Sequence, residues 1–159
     1  MKRMSIIATL IVAGFTACDQ KGRTCDGDTL ESTPTICPND NVVRFGAYVG
    51  SAPQKTLVLS NQSTANLDVS QVSLSGGSPF SLKTSETIPA SIAGNKYLLV
   101  NVIFAPEAPG YFQSTLSVKS NAQKCAWVDG GVPSDCGEVT FAVSGCGVQP
   151  DAGPPAECP

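Results

Sequence analysis

Apolar and polar residues alternate with a period of two along most of this chain, and such alternation predicts β-strands. The clearest case is FQSTLSVKS, whose apolar residues share one parity: Phe112, Leu116 and Val118. The segment EVTFAVS repeats the pattern, with inward Val139, Phe141 and Val143 and outward Thr140, Ala142 and Ser144. Each pattern places one face of a strand on a core and the other face in water.

Further strands are predicted for KYLLVNVIF, NLDVSQVSL, VVRFG, QKTLVLSN and PFSLK, with turn-forming residues between them. In NLDVSQVSL the apolar parity changes between Val69 and Val72, so we expect a bulge near Ser70. About seven short strands at this spacing predict a single all-β domain, an immunoglobulin-like β-sandwich over residues 42–148.

Composition limits what such a domain can do. The chain has 159 residues, enough for one domain with a proper core, and a net charge of −3. No run of Lys or Arg forms a basic stripe, so we expect no nucleic-acid partner. Histidine is absent, which excludes serine-hydrolase triads and histidine metal sites. We therefore expect no cofactor and no metal.

The N-terminal sequence MKRMSIIATLIVAGFTAC predicts an export signal. A positively charged start precedes an apolar stretch from Met4 to Gly14, which is shorter than the about 20 residues that span a bilayer. The end of this stretch resembles a bacterial lipobox in which Phe15 replaces the usual leucine. This interpretation predicts a signal peptide over residues 1–17 and lipid on Cys18; plain secretion and an uncleaved anchor are the alternatives.

The number of cysteines agrees with lipidation of Cys18. Seven are present, and an odd number in an exported protein needs an explanation. Once Cys18 carries lipid, the remainder can form disulfides in an oxidising compartment: Cys25, Cys37, Cys125, Cys136, Cys146 and Cys158. Pairing neighbours in sequence makes three small rings, each worth roughly 3 kcal/mol. Pairing across the two ends of the chain is the alternative.

Two segments flank the predicted sandwich. Residues 18–41 show no hydrophobic periodicity and predict an N-terminal tether, and residues 149–159 form a proline-rich tail. Several acyl chains on one cysteine give durable anchoring, so we expect the membrane as a partner through lipid. The expected location is the cell envelope, facing the periplasm or the cell surface.

Three stretches together resemble the choice-of-anchor D domains of bacterial exported proteins, in the wider Hydin-type (ASH) group. They are FGAYVGSAPQKTLVLSNQSTANLDVSQVSLSGGSPFSL, VIFAPEAPGYFQSTLSVKSNA and VTFAVSGCGV. The positions that match the motifs of that family are Phe45, Gly46, Gly50, Leu59, Asn61, Phe104, Pro106, Gly110, Leu116, Val118, Ser120, Asn121, Gly145 and Gly147. The resemblance implies a seven-stranded sandwich used as a structural or adhesive module, with no catalytic residues. The link between the last two strands, 121–137, is longer than is usual in the family.

That link contains the sequence CAWVDGGVPSDC, and with it the single tryptophan of the chain. Trp127 either packs on the disulfide or the sandwich edge, or it is displayed on a hairpin tip that the disulfide orders. In the second interpretation Trp127, Val128 and Asp129 form a binding loop, because aromatic anchors bury a large area at small entropic cost.

Paired carboxylates are the remaining route to hydrolysis. The acidic residues lie mostly in predicted loops or on outward parities, which is typical of surface charge. The sequence therefore favours a non-enzymatic, lipid-anchored envelope protein that acts as a structural or binding module for a protein or glycan. An envelope hydrolase and an accessory subunit of a larger surface complex are the alternatives.

Overall fold

The computed structural model describes residues 32–76, 79–125 and 136–153, and every regular element in these ranges is a β-strand. These residues form ten strands: β1 (Thr35–Pro38), β2 (Val42–Tyr48), β3 (Gln54–Asn61), β4 (Leu67–Leu74), β5 (Phe80–Thr84), β6 (Ala90–Ile92), β7 (Tyr97–Phe104), β8 (Gly110–Ser120), β9 (Lys124–Cys125) and β10 (Glu138–Val148). A search of the same ranges finds no helix with the length and apolarity needed to cross a membrane.

The strands form two five-stranded sheets that pack as an immunoglobulin-like sandwich, as the sequence predicts. The first sheet has the order β5-β7-β3-β1-β9 and the second the order β2-β10-β8-β4-β6. Neighbours are antiparallel except for β1 with β9 and β2 with β10. The described residues thus contain more strands than the about seven expected, because β1, β6 and β9 are too short to show a period.

The core follows the predicted parities of the long strands. Val139, Phe141 and Val143 of β10 are buried, as are the alternate residues of β7. Aromatic rings meet where the sheets face each other: Phe104 lies 5.6 Å from Phe45 and 4.9 Å from Phe80 between ring centroids. The predicted bulge is also confirmed, because the register of β4 against β8 shifts between Val69 and Gln71.

Ser144 departs from the expectation that it faces water. It lies on the outward parity of β10, yet its exposure is only 7%. Its partner on β2 is Arg44 and its partner on β8 is Gln113, so a small residue on a central strand stands between two long side chains. The long side chains on the two neighbouring strands, rather than an inward orientation of its own side chain, account for the burial of Ser144.

The predicted tether, 18–41, also differs from the structure, because its last residues belong to the sandwich. Thr35–Pro38 pairs with β3 on one side and with β9 on the other, and Ile36 and Cys37 are buried. A strand of four residues that ends in proline carries too few positions to reveal a period in the sequence. The described part of the sandwich therefore begins before residue 42.

Between β1 and β2 the chain crosses from the first sheet to the second. Asn39 replaces a strand partner for β3: its N–H donates to the Val58 carbonyl (2.9 Å), and its side-chain oxygen accepts from the Val58 N–H (2.7 Å). Asp40 then accepts hydrogen bonds from the N–H groups of Asn41 and Val42. These side-chain bonds define where the crossing occurs.

A buried polar cluster fixes the turn after β3. Asn61 is fully buried; its Nδ2 donates to the carbonyls of Ala65 (2.7 Å) and Ile92 (2.8 Å). Its Oδ1 accepts from the backbone N–H and the hydroxyl of Ser63. One amide thus holds the β3–β4 turn against the end of β6.

We expect Asn61→Ala to lower the free energy of unfolding by roughly 2–4 kcal/mol, because it leaves several buried donors and acceptors without partners. Asn101→Ala is the matched control, since the Asn101 side chain accepts an exposed hydrogen bond from the Thr56 hydroxyl; its cost should stay below about 1 kcal/mol. Urea denaturation measures both variants. Equal losses would contradict the role given to Asn61.

Candidate functional site

The predicted disulfide between Cys125 and Cys136 is present and joins the two sheets. Cys125 lies in β9 at the edge of the first sheet, and Cys136 lies just before β10 in the second. The bond has an S–S distance of 2.01 Å and a Cα–Cα distance of 5.4 Å. Cys136 packs with the hydrophobic core, as does Ala122 before β9. Both ends of the intervening loop are therefore anchored in the sandwich.

The path into this loop differs from the predicted hairpin. β8 and β10 pair with each other in the second sheet, but between them the chain visits the first sheet as β9. Lys124 and Cys125 pair there with Thr35 and Ile36 of β1. The reason is that β1 offers a free edge to a short segment, which the sequence does not reveal. Trp127, Val128 and Asp129, the predicted binding residues, lie outside the described residues.

Cys37 and Cys146 are also disulfide-bonded. Cys37 alternates with the inward Ile36 and so faces outward from the first sheet. Cys146 follows Gly145, whose Cβ would point at the Phe104 ring, and so faces outward from the second sheet. Because packed sheets lie about 10 Å apart, cysteines on opposite outer faces are too distant to bond each other.

The partners of Cys37 and Cys146 are consequently cysteines outside the described residues, where Cys18, Cys25 and Cys158 lie. The observed Cys125–Cys136 pair is one of the three rings that sequential pairing requires. The positions of Cys37 and Cys146 agree with sequential pairing, Cys25–Cys37 and Cys146–Cys158. They agree equally with pairing across the two ends of the chain.

Acidic side chains on the second sheet form local surface contacts. Asp68 accepts from the Ser91 hydroxyl and from Asn121 Nδ2 (3.0 Å). Glu138 lies 3.6 Å from the Lys119 ammonium and accepts from the Ser117 hydroxyl (2.8 Å). Within the described ranges, no cluster of three metal-ligating side chains occurs.

Among the described strands, β2 has an open edge that the sequence alone does not reveal. A cleft of about 460 Å³ runs between this edge and the start of β3, lined by Arg44, Val42 and Asp40 on one side and by Lys55 and Leu57 on the other. It exists because β1 pairs with β3 only from Leu59 onward, after which the chain has changed sheets. The proline and polar residues at 38–41 were the one sequence signal of that change.

Two tyrosines are the large apolar side chains most exposed in the described ranges. Tyr97 is 60% and Tyr111 53% exposed. The Tyr111 hydroxyl accepts a hydrogen bond from Gln113 Nε2 (2.7 Å) on the outer face of the second sheet. A shallow cleft of about 430 Å³ borders Tyr111, Gln113 and Arg44. This polar face is accessible to solvent.

Neither a family model nor a curated protein matches the chain. Among solved structures, a protein of unknown function from Porphyromonas gingivalis W83 superposes with a TM-score of 0.53 at 10% identity, over 74% of this chain and 50% of that one. This chain therefore spans about half the length of that structure.

Two smaller domains are also similar. The ASH/PapD-like domain 7 of human CEP192 has a TM-score of 0.47 at 14% identity and covers 93% of this chain and 99% of its own. WR4, an MSP family member from C. elegans, has a TM-score of 0.42 at 10% identity, over 71% and 97%. At such identities the likeness concerns the fold alone, an immunoglobulin-like sandwich.

We expect sequential pairing for the two remaining disulfides, Cys25 with Cys37 and Cys146 with Cys158, because the shorter rings cost the least chain entropy to close. Proteolysis without reduction, followed by mass spectrometry, identifies the linked peptides. Cys125–Cys136 serves as the internal reference. Linked peptides that join Cys37 to Cys158 or Cys25 to Cys146 would overturn the expectation.

Proposed function

We propose that this chain is a lipid-anchored, non-enzymatic binding module of the bacterial cell envelope, of the choice-of-anchor D type. The observation that carries the proposal is the Cys125–Cys136 disulfide, which anchors both ends of a short loop where the two sheets meet. That loop contains Trp127, the single tryptophan of the chain.

Export is supported by the disulfides. Cys37, Cys125, Cys136 and Cys146 are all oxidised, and disulfides persist in extracytoplasmic compartments rather than in a reducing cytosol. Cys18 follows a positively charged start and a short apolar stretch, as the cysteine of a lipobox does. Acyl chains on Cys18 would hold the domain at the membrane, with residues 19–34 as a spacer.

A binding role is supported by the way the loop is held. A ring closed by a disulfide loses less conformational entropy when it engages a partner, so more of the contact energy appears as affinity. Trp127 and Val128 would supply buried apolar area, and Asp129 a polar contact at the rim. A protein or a glycan of the envelope is the class of partner that such a surface fits.

Lipidation predicts that Cys18→Ser releases the protein from the membrane, because the acyl chains can no longer be attached. Fractionation of cells measures the shift from the membrane to the soluble envelope fraction, and the intact mass of the N-terminal peptide reports the lipid directly. Cys158→Ser is the matched control and should stay in the membrane fraction. An unmodified N-terminal peptide in the wild type would contradict the anchor.

Binding through the loop predicts that Trp127→Ala weakens partner capture at least about tenfold while the melting temperature changes little, since a displayed anchor contributes to binding and not to the core. Tyr97→Ala removes another exposed aromatic residue and is the control, which should capture normally. Affinity capture from native membranes and a thermal melt are measured on each. A large loss of stability in Trp127→Ala instead would assign Trp127 to packing.

A further inference from the structure

The two sheets have four edge strands, and these differ in how well they are protected. β6 has three residues and β9 has two, which is too short to template another strand. β5 has five residues and follows directly on Pro79. β2 is the exception: it has seven residues, no proline and no bulge in its register with β10. Long regular edges are sites for strand addition.

The backbone of β2 shows which groups face this open edge. The Val49 N–H donates to the Val148 carbonyl, so Val49 points at β10. Because successive residues of a strand direct their N–H and C=O groups to opposite sides, Val43, Phe45 and Ala47 also point at β10. The even-numbered residues, from Val42 to Tyr48, therefore point away from it.

Both ends of the open edge are already capped. The Val42 N–H donates to the Asp40 side chain (3.1 Å). The Tyr48 carbonyl accepts from the N–H (3.0 Å) and the hydroxyl (2.7 Å) of Ser51. Between the caps, the N–H and C=O groups of Arg44 and Gly46 have no hydrogen bond to other described residues.

We infer that the open edge of β2 pairs antiparallel with β2 of a second copy of this chain, so that Arg44 of each copy stands opposite Gly46 of the other. In this register Arg44 and Gly46 exchange both of their backbone hydrogen bonds across the two-fold axis. The Tyr48 N–H donates to the Val42 carbonyl of the other copy. The two capped groups, the Val42 N–H and the Tyr48 carbonyl, face each other and need no new partner.

The side chains agree with this register. Arg44 is directed over Gly46 of the other copy, which has no side chain to oppose it, and Val42 lies opposite Tyr48, a favourable β-branched and aromatic pair. A register shifted by one pair in one direction would place Arg44 against Arg44, with like charges opposed. A shift in the other direction would require the Tyr48 carbonyl, which Ser51 already occupies.

A foreign extended peptide is the other occupant that an open edge admits. A second copy is favoured because β2 is complementary to itself. In the antiparallel register Arg44 lies opposite Gly46, and the capped Val42 N–H lies opposite the capped Tyr48 carbonyl. A contact of one strand edge is smaller than the roughly 1,000 Å² of a stable interface. We therefore expect a weak dimer whose population depends on concentration.

The test uses charges at positions 42 and 48. The variants are V42E/Y48E and V42E/Y48K, made in the full chain and studied in detergent. Six residues apart on a strand, the two side chains are separated by roughly 20 Å within one copy and cannot pair there. Across the proposed axis each Glu at position 42 meets position 48 of the other copy.

Sedimentation velocity over a concentration series measures self-association. We expect the wild type to dimerise, V42E/Y48E to associate at least about tenfold more weakly, and V42E/Y48K to recover most of that loss. Circular dichroism establishes that both variants are folded. A wild type that stays monomeric up to about 1 mM, or equal association of the two variants, would overturn the inference.

A second measurement is independent of stability. With the photo-crosslinking residue p-benzoylphenylalanine in place of Tyr48, the crosslink should reach the peptide that contains Val42 of another copy. Mixing isotopically light and heavy protein identifies crosslinks between copies. Crosslinks to peptides far from β2, or within one copy alone, would exclude the proposed register.

Discussion

Backbone hydrogen bonding at the crossing between β1 and β2 is the constraint on which the arrangement of this sandwich depends. A strand that leaves one sheet abandons the donors and acceptors of its neighbour, and these groups then need other partners. Here the Asn39 side chain and backbone satisfy both groups of Val58 at the point of departure. The chain can therefore contribute to both sheets in succession, β1 pairing with β3 and β2 pairing with β10.

Close packing between the sheets adds a second constraint. Gly145 stands where a Cβ would come within 2.6 Å of the Phe104 ring, and Gly147 where it would come within 2.7 Å of the Ala108 carbonyl. Asn61 fills a buried polar site, and Asn121 bonds the backbone N–H of Asp68 (2.8 Å). These residues stand at positions whose match to choice-of-anchor D motifs is an expectation from the sequence alone, and each has a structural task. The resemblance therefore reflects fold more than binding.

The sequence predicts what depends on a repeated pattern and misses what depends on single contacts. Alternation located the long strands and the change of parity located the bulge at Val69, because a core face must repeat every second residue. The sequence does not predict β1 and β9, because each is held by a strand distant in sequence and neither shows an alternation of apolar and polar residues. Ser144 is buried by Arg44 and Gln113 on adjacent strands, and no local signal encodes that proximity.

The same distinction between features with a sequence signal and features without one applies to the candidate site. Cysteine spacing was enough to propose Cys125–Cys136, because a disulfide between near neighbours needs little knowledge of the fold. The open edge of β2 could not be found from spacing, since an edge is defined by the strand that is absent beside it. The crossing at Asn39 creates this edge: it moves the chain away from β3 and delivers β2 to the outside of β10. The same hydrogen bonds that complete the first sheet thus leave β2 with one side that no other described strand covers, and on that side Arg44 and Gly46 are matched for pairing with a second copy.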